Sequence, residues 1–286
     1  MIIVSHLLYY EEPYLDEWIN FHRRQGFKTF YIYLKYGKLT HGSIIPKDDK
    51  VYERLVQKYH RYNVTFIHIE SIPIIHINNF FRHHAIKYLN QWCAILDIDE
   101  FLHCPVKDLT VKKMTKYYDR KKINAVLINW HCYGSNGIIN NPTYETVNKF
   151  TKPTNKFIEM NCYCKSFIKI TKQLLNSYED NKNVHRIMTI KKYYTSNGTP
   201  LIEHNTKNYD KCINLKRKFL KEYHGINRNN LHFSINHMFA YPEKNPKLII
   251  NHYITRSLEE YKKKIALNKT KQDRYNLKFF NYVNRL

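Results

Sequence analysis

The chain reads as an α/β protein, with a mainly parallel sheet flanked by helices and a C-terminal helical extension. Three observations carry this. Over the first 130 residues, apolar β-rich runs alternate with segments of helical period, the pattern of a parallel sheet covered on both faces. One of those runs, Cys93-Ala94-Ile95-Leu96-Asp97, stops at an acidic cluster, Asp97-Ile98-Asp99-Glu100. Beyond residue 130 the alternation weakens, and residues 257–284 are lysine-rich and helical in character. Ligands of such sheets sit beyond the carboxyl ends of the strands. The position of the acidic cluster therefore matters more than its letters.

The elements follow in order. Residues 1–6 suit a buried strand. Glu11-Glu12-Pro13 suits a helix start, since acids and Pro favour the first turn. Leu15, Trp18, Ile19 and His22 recur at spacings of three and four, and Gly26 closes that helix. Phe27 to Leu34 is a second strand, residues 48–61 a helix, Val64 to Ile69 a third strand and residues 78–91 another helix. After the strand that ends at Asp97, residues 107–120 are helical and Ala125-Val126-Leu127-Ile128 is strand-like. Phe167-Ile168-Lys169-Ile170 is a short β-like stretch. From 209 the chain turns helical and basic until Pro242 and Pro246, and Leu248 to Tyr253 is extended. The simplest partition is one domain over 1–256 with a basic helical extension, 257–286, packed on it.

Composition narrows the function classes. The 286 residues include 47 basic and 24 acidic side chains, a formal charge of +23, and 43% are apolar. That apolar content is globular, not disordered, and no apolar run approaches the ~20 residues of a membrane span. The start is too short and insufficiently basic for a signal peptide, so the expected setting is cytoplasmic. Six scattered cysteines fit reduced thiols better than a disulfide framework. The excess of Tyr, Lys, Asn and Ile, with only 7 Gly, suits an AT-rich genome or a large DNA virus. Codon bias thus explains part of the positive charge. The rest would attract an anionic partner: nucleic acid, a membrane surface or a phosphorylated substrate.

Three segments carry chemistry. If Asp97 and Asp99 lie on an extended segment, residues two apart point the same way and present two carboxylates to one point. Such a pair repels itself unless a cation intervenes. A hard divalent ion with oxygen ligands does this and keeps room for phosphates. The alternative is a surface turn, since Asp-x-Asp recurs by chance. His252, after an apolar strand, is a candidate to complete that coordination; composition alone makes it one ordinary histidine among 16. Trp130-His131-Cys132-Tyr133-Gly134-Ser135-Asn136-Gly137 places two glycines among small polar residues, a loop that a ligand backbone could approach or a plain turn. Ser257 and Glu260 fit a capping box, and of Lys262, Lys263 and Lys264 at most two can face one way.

Four segments in order resemble glycosyltransferase family 92 and the related glycosyltransferase-2-like group. They are Glu11-x-x-Tyr14-Leu15-x-Glu17-Trp18-Ile19-x-x-His22-x-x-x-Gly26, Trp92-x-x-x-Leu96-Asp97-Ile98-Asp99-Glu100-Phe101, Trp130-x-x-Tyr133-Gly134-Ser135-Asn136-Gly137, and Asn251-His252-Tyr253-Ile254-Thr255-Arg256-Ser257-x-Glu259-Glu260-Tyr261-x-x-Lys264. The resemblance spans about residues 2–268. It implies a GT-A, Rossmann-like fold, a nucleotide-sugar donor, UDP by family default, and Mn²⁺ or Mg²⁺. Carried over, Asp99 is the principal metal ligand, Asp97 contacts metal or ribose, His252 completes the metal site and Lys264 meets the diphosphate. Trp130, Gly134, Ser135 and Asn136 would border the acceptor. Tyr9-Tyr10-Glu11 stands where the family shows Lys-Asn-Glu. Tyr33-Leu34-Lys35 stands where it often shows Tyr-Asp-Asn. Both departures lie near the expected nucleotide base.

The expected function is metal-dependent, inverting transfer of a sugar from a nucleotide-sugar donor to a hydroxyl on a glycan, lipid-linked or protein-linked acceptor. Glu145, Glu159 and Asp180 are the base candidates, and Glu100 is expected to support the metal site. Two other classes stay open. A nucleic-acid-binding protein would use the charge and the aromatics, although no recognition motif is present. A two-metal nuclease or nucleotidyltransferase would use Asp97, Asp99 and Glu100.

Overall fold

Alternation of apolar residues builds the sheet from its centre outwards. In strand β1 (Ile2–Leu7), Ile3 and Leu7 face one apolar cluster while Ile2 and Val4 face another. A strand buried on both faces needs helices on both, and the computed structural model supplies them. It describes residues 1–38, 44–70, 74–154, 159–182, 185–201, 206–219, 221, 240, 242–267 and 276–284. The strands after β1 are β2 (Thr29–Lys38), β3 (Ile44–Ile45), β4 (Val64–Glu70), β5 (Trp92–Ile95), β6 (Glu100–His103), β7 (Ala125–Cys132), β8 (Cys164–Lys169), β9 (Tyr193–Tyr194), β10 (Pro200–Leu201) and β11 (Ile249–His252). The helices are α1 (Leu15–Arg24), α2 (Asp49–Tyr59), α3 (Ile75–His83), α4 (Val111–Arg120), α5 (Lys172–Asn176), α6 (Thr206–Phe219), α7 (Leu258–Leu267) and α8 (Leu277–Val283).

The central sheet is largely parallel. Strands β4, β2, β1 and β5 pair in parallel in that spatial order. Strand β8 follows antiparallel to β5 and β7 antiparallel to β8, so β7 again runs with β5. Strand β11 pairs parallel to β7 and antiparallel to β6. The carboxyl ends of β1, β2, β4, β5, β7 and β11 therefore meet at one edge. Helices α1, α2 and α4 cover one face with Leu15, Trp18, Leu55 and Tyr118. Helix α3 covers the other with Ile77, Phe80 and Phe81. Tyr261 of α7 and Phe279, Phe280 and Val283 of α8 join the first of these clusters.

Local signals account for most boundaries. Asp48 caps α2 by accepting from Val51 N at 3.0 Å, and Thr110 caps α4 from Lys113 N at 3.3 Å. The helix start expected at Glu11 is a 3-10 turn, Tyr9–Tyr14, that leads into α1. Gly26 closes α1 with φ of +98°, and a Cβ there would stand 2.6 Å from the Cβ of Lys112. The helix expected over 78–91 starts earlier and breaks after His83. Asn90 N donates to Ile170 O at 2.7 Å, drawing the chain onto β8 through a left-handed residue with φ of 65°. The final helical stretch is α7 and α8, and residues 268–275 between them lie outside the described residues.

Trp18 joins α1 to the sheet edge. Its indole N–H is shared between two backbone carbonyls, Asp97 O at 3.1 Å and Glu100 O at 2.8 Å. In Trp18→Phe most of the packing survives, but the Glu100 carbonyl loses a buried donor and Asp97 O keeps only Glu100 N. The expected cost is about 1–3 kcal/mol, measured as a shift of the urea unfolding midpoint. An unchanged midpoint would show that the turn holds itself.

Candidate active site

The acidic cluster lies in a tight turn, not an extended segment. Strand β5 ends at Ile95, and Glu100 N donates back to Asp97 O at 3.1 Å. The period-two argument for one shared point therefore gives way to turn geometry, and the two aspartates take different partners. Asp97 Oδ2 accepts from Lys165 Nζ at 2.8 Å. Asp99 Oδ2 accepts from Lys264 Nζ at 3.1 Å, and Asp99 Oδ1 stands 3.6 Å from His252 Nε2.

Sheet topology explains the second set. Strand β6 begins directly after the turn and pairs with β11 in a register that sets Glu100 against His252. Tyr253 N then donates to Asp99 O at 2.9 Å, extending the ladder by one step. His252 is thus brought to Asp99 by strand pairing across 150 residues of sequence. Its ring lies against Trp130, 4.1 Å between centroids, and its Nδ1 is buried without a hydrogen-bond partner.

Glu100 is 0% exposed and Lys165 only 1%. The Lys165 ammonium stands 3.4 Å from Glu100 Oε2, and that oxygen also accepts from Asp97 N at 2.9 Å. Burial raises the Asp97 carboxyl, but Lys165, then His6, outweighs it and holds the group well below the usual carboxylate range. Asp99 is likewise held low, with Lys264 and His252 outweighing burial. Burial pushes Glu100 up to about 8, against the pull of Lys165. At pH 7 the buried group therefore carries one anion, one ammonium and one neutral acid. Glu100 Oε1 is buried without a hydrogen-bond partner. His6 Nδ1 lies 3.5 Å from Asp97, yet burial and Lys35 lower its pKa to about 3, so it is neutral.

Asp99 opens onto a solvent-open cleft with about 480 Å³ of empty space, part of it continuous with bulk solvent. The 3-10 turn contributes Tyr10, Glu11 and Tyr14. The β11–α7 connection contributes Tyr253 to Arg256, and α7 adds Glu260, Lys263 and Lys264. The capping box forms as expected: Ser257 N donates to Glu260 Oε2 at 3.1 Å and Glu260 N to Ser257 Oγ at 3.4 Å. Lys262 turns away to Glu259 at 2.9 Å. Burial pushes the Glu11 and Glu260 carboxyls up to about 7, and Asp99 adds to the effect on Glu11.

Other singled-out residues lie elsewhere. Glu145 is exposed; Glu159 is buried and paired with Lys216 at 2.5 Å; Asp180 pairs with Arg82 at 2.7 Å. None of the three lines the cleft. The Gly134–Ser135 end of the glycine loop is covered by Asn284, which caps α8: Ser135 N donates to Asn284 Oδ1, which also stands 2.5 Å from where a Gly134 Cβ would be, whereas Gly137 faces open space. Asn136 donates to Lys149 O at 3.2 Å. Two residues of the first motif brace the site from outside the cleft. Glu17 accepts from Thr146 N and Val147 N at 2.7 and 3.0 Å, and His22 Nε2 accepts from Leu102 N at 3.1 Å.

Lys165 was missed by sequence reasoning. Its signal is a lysine inside the β-run Cys164-Lys165-Ser166-Phe167-Ile168, where a buried ammonium needs a carboxylate partner. Among the described residues, no three His, Cys, Asp or Glu side chains converge on one point. The expected trio divides, with Asp99 and His252 together and Asp97 on Lys165. One oxygen and one nitrogen donor still fit a Mg²⁺- or Mn²⁺-type ion, which commonly takes few protein ligands and completes its shell with water and phosphate oxygens. Asp97, Asp99 and Glu100 do not face a common point, as a two-metal centre would need.

Removing Lys165 leaves the Asp97 carboxylate without its cation. Lys165→Met is expected to destabilise by about 3–5 kcal/mol, read by denaturant unfolding, and Asp97→Asn in that background should recover part of the loss. A separate test concerns pH. The Glu100 carboxyl rises from 4.5 to about 8 on folding, so its stabilising contribution is complete below pH 4.5 and is lost as pH rises through 8. Between pH 6 and 9 the melting temperature of Glu100→Gln should therefore fall less than that of the native chain. Parallel curves would place the proton elsewhere.

No family model matches the chain, and no curated protein matches it. The resemblance drawn from the four motifs is thus without a matching family model. Solved structures that match include HddC from Yersinia pseudotuberculosis, 14% identical with a TM-score of 0.35, covering 74% of this chain and 98% of that one. A UDP-glucose pyrophosphorylase complexed with UDP-glucose is 10% identical with a TM-score of 0.31, covering 77% and 98%. A UDP-glucose pyrophosphorylase from Acinetobacter baumanii is 9% identical with a TM-score of 0.33, covering 78% and 95%. TM-scores at this level carry no argument about the site.

Proposed function

We propose that the chain is a glycosyltransferase that uses a nucleotide-sugar donor, UDP-linked in the first instance. The observation that carries this is the meeting of Asp99, His252 and Lys264 at the carboxyl edge of a largely parallel sheet, where Asp99 and Lys264 line a cleft together with Arg256 and Lys263. A carboxylate and an imidazole side by side suit a divalent cation, and the neighbouring ammonium groups suit a diphosphate. Asp99 and His252 would hold Mn²⁺ or Mg²⁺, which when bound stabilises negative charge on a departing diphosphate.

The chain's own residues do the rest. Lys264, in the last turn of α7, neutralises a phosphate oxygen that replaces Asp99 as its partner. Tyr10, Tyr14 and Tyr253 wall the cleft and exclude water from the leaving group. Trp130 fixes the plane of the His252 ring. An acceptor hydroxyl gives its proton to a general base and attacks the anomeric carbon in line with the departing diphosphate, which inverts configuration. Asp97 and Glu100, held by Lys165, keep the turn in shape. Among the described residues no helix is long and apolar enough to cross a membrane.

The test is melting and turnover with UDP-sugars and Mn²⁺. The native chain should be stabilised by the two together and not by either in excess chelator. Asp99→Asn and His252→Ala should lose this stabilisation and at least about 100-fold in donor hydrolysis or transfer, roughly the scale for a group acting on transition-state charge. Full turnover in Asp99→Asn would sink the reading. Stabilisation by oligonucleotides alone would favour the nucleic-acid class instead.

A further inference from the structure

Arg256 is held in the cleft at three separate costs. Its backbone is left-handed, with φ of 49°, a conformation unfavourable by roughly 1 kcal/mol or more for a residue with a side chain. It is only 7% exposed, although a guanidinium is expensive to remove from water. Its Nε is buried with no hydrogen-bond partner.

The contacts it does make fix its position without neutralising it. The guanidinium lies over the Tyr14 ring, 3.6 Å from the centroid, and Nη2 donates to Ile98 O at 3.2 Å. That carbonyl belongs to the acidic turn, so Arg256 is tied to the residue beside Asp99. Among the described residues no carboxylate lies within 4.0 Å of it; Asp99 and Glu11 act on it from further away. A buried guanidinium oriented by an aromatic ring and one carbonyl, but lacking a counter-ion, is a preorganised receptor for an anion that arrives from outside.

The shape of the group selects the anion. Arg presents a planar fork of donors that matches two oxygens on one phosphorus, whereas Lys offers a point charge. Resting on the nucleotide-sugar reading above, we propose that Arg256 is the phosphoryl receptor of the cleft, its guanidinium binding the diphosphate of the donor next to Asp99. Cation–π contact with Tyr14 keeps the fork in one plane while the cleft is empty, and binding relieves the buried, uncompensated charge.

The experiment is calorimetric titration of UDP and of uridine, each with Mn²⁺, into the native chain, Arg256→Lys and Arg256→Gln, with melting temperatures recorded. A lost charge-assisted fork is expected to weaken UDP by about 10-fold in Arg256→Lys and by about 30-fold or more in Arg256→Gln. Uridine, which lacks the diphosphate, should change by less than about twofold in both variants on the same argument. Native-like UDP binding in Arg256→Lys, with uridine also unchanged, overturns the receptor role while the nucleotide-sugar reading stands. Equal weakening of UDP and uridine, or unfolding of both variants, assigns Arg256 to the fold and overturns it as well. Failure of the native chain to bind UDP or GDP overturns both readings together.

Discussion

Three carboxyl groups within four residues at the apolar edge of a sheet cannot persist without compensating charge. Two like charges a few ångströms apart in a medium poorer than water repel by several kcal/mol. The fold answers with a lysine for each aspartate, Lys165 for Asp97 and Lys264 for Asp99, and with a proton for Glu100. Everything around the turn follows from this arrangement. Strand β8 must run antiparallel to β5 so that its early residues reach the end of β5. The register that sets Trp92 against Lys169 brings Lys165 level with Leu96, one residue before Asp97.

Strand pairing does the long-range work. The turn needs a partner histidine and a partner helix, and both come from the last quarter of the chain. Strand β6 is only four residues long, but it starts inside the turn and pairs with β11 along its whole length. The ladder delivers His252 and then the β11–α7 connection, so Arg256 and Lys264 arrive by covalent continuity. Tyr261 on the buried side of α7 and the capping box at Ser257 fix the angle at which the helix leaves. The residues facing the cleft therefore depend on apolar packing remote from it.

Much of this was legible in the sequence, and the rest was hidden for physical reasons. Alternating strand and helix periods gave the layering, because burial on both faces imposes those periods directly. The cluster at 97–100 was readable because acids rarely follow a buried strand without cause. His252 and Lys264 became readable only together with their motif, since neither carries a local signal. Turn geometry was not readable: Asp-Ile-Asp-Glu suits an extended run and a turn equally, and the Glu100–Asp97 hydrogen bond decides between them. Lys165 was invisible because a lysine in a strand normally marks a solvated face, and only the tertiary pairing of β8 with β5 reveals that this one is enclosed. The Gly134–Gly137 loop read as either a ligand approach or a plain turn for a similar reason. Its cover, Asn284, lies 150 residues further along the chain.

The two lysines differ in a way that separates the two aspartates. Lys165 comes from a strand in the middle of the sheet, is 1% exposed and is shared with Glu100. It cannot leave without stranding the half-buried Asp97 carboxylate and uncovering the buried Glu100. Lys264 comes from a helix at the rim of the cleft and is 24% exposed at its side chain, with a long flexible stem that reaches solvent. Its ammonium can exchange Asp99 for another anion at small cost. Asp97 is therefore a fixed part of the fold's charge balance, whereas Asp99 is the carboxylate whose counter-ion is replaceable. A site that must admit a cation and an anionic ligand needs that combination: one acid held rigidly to shape the turn, and its neighbour two residues on left with a partner that can move.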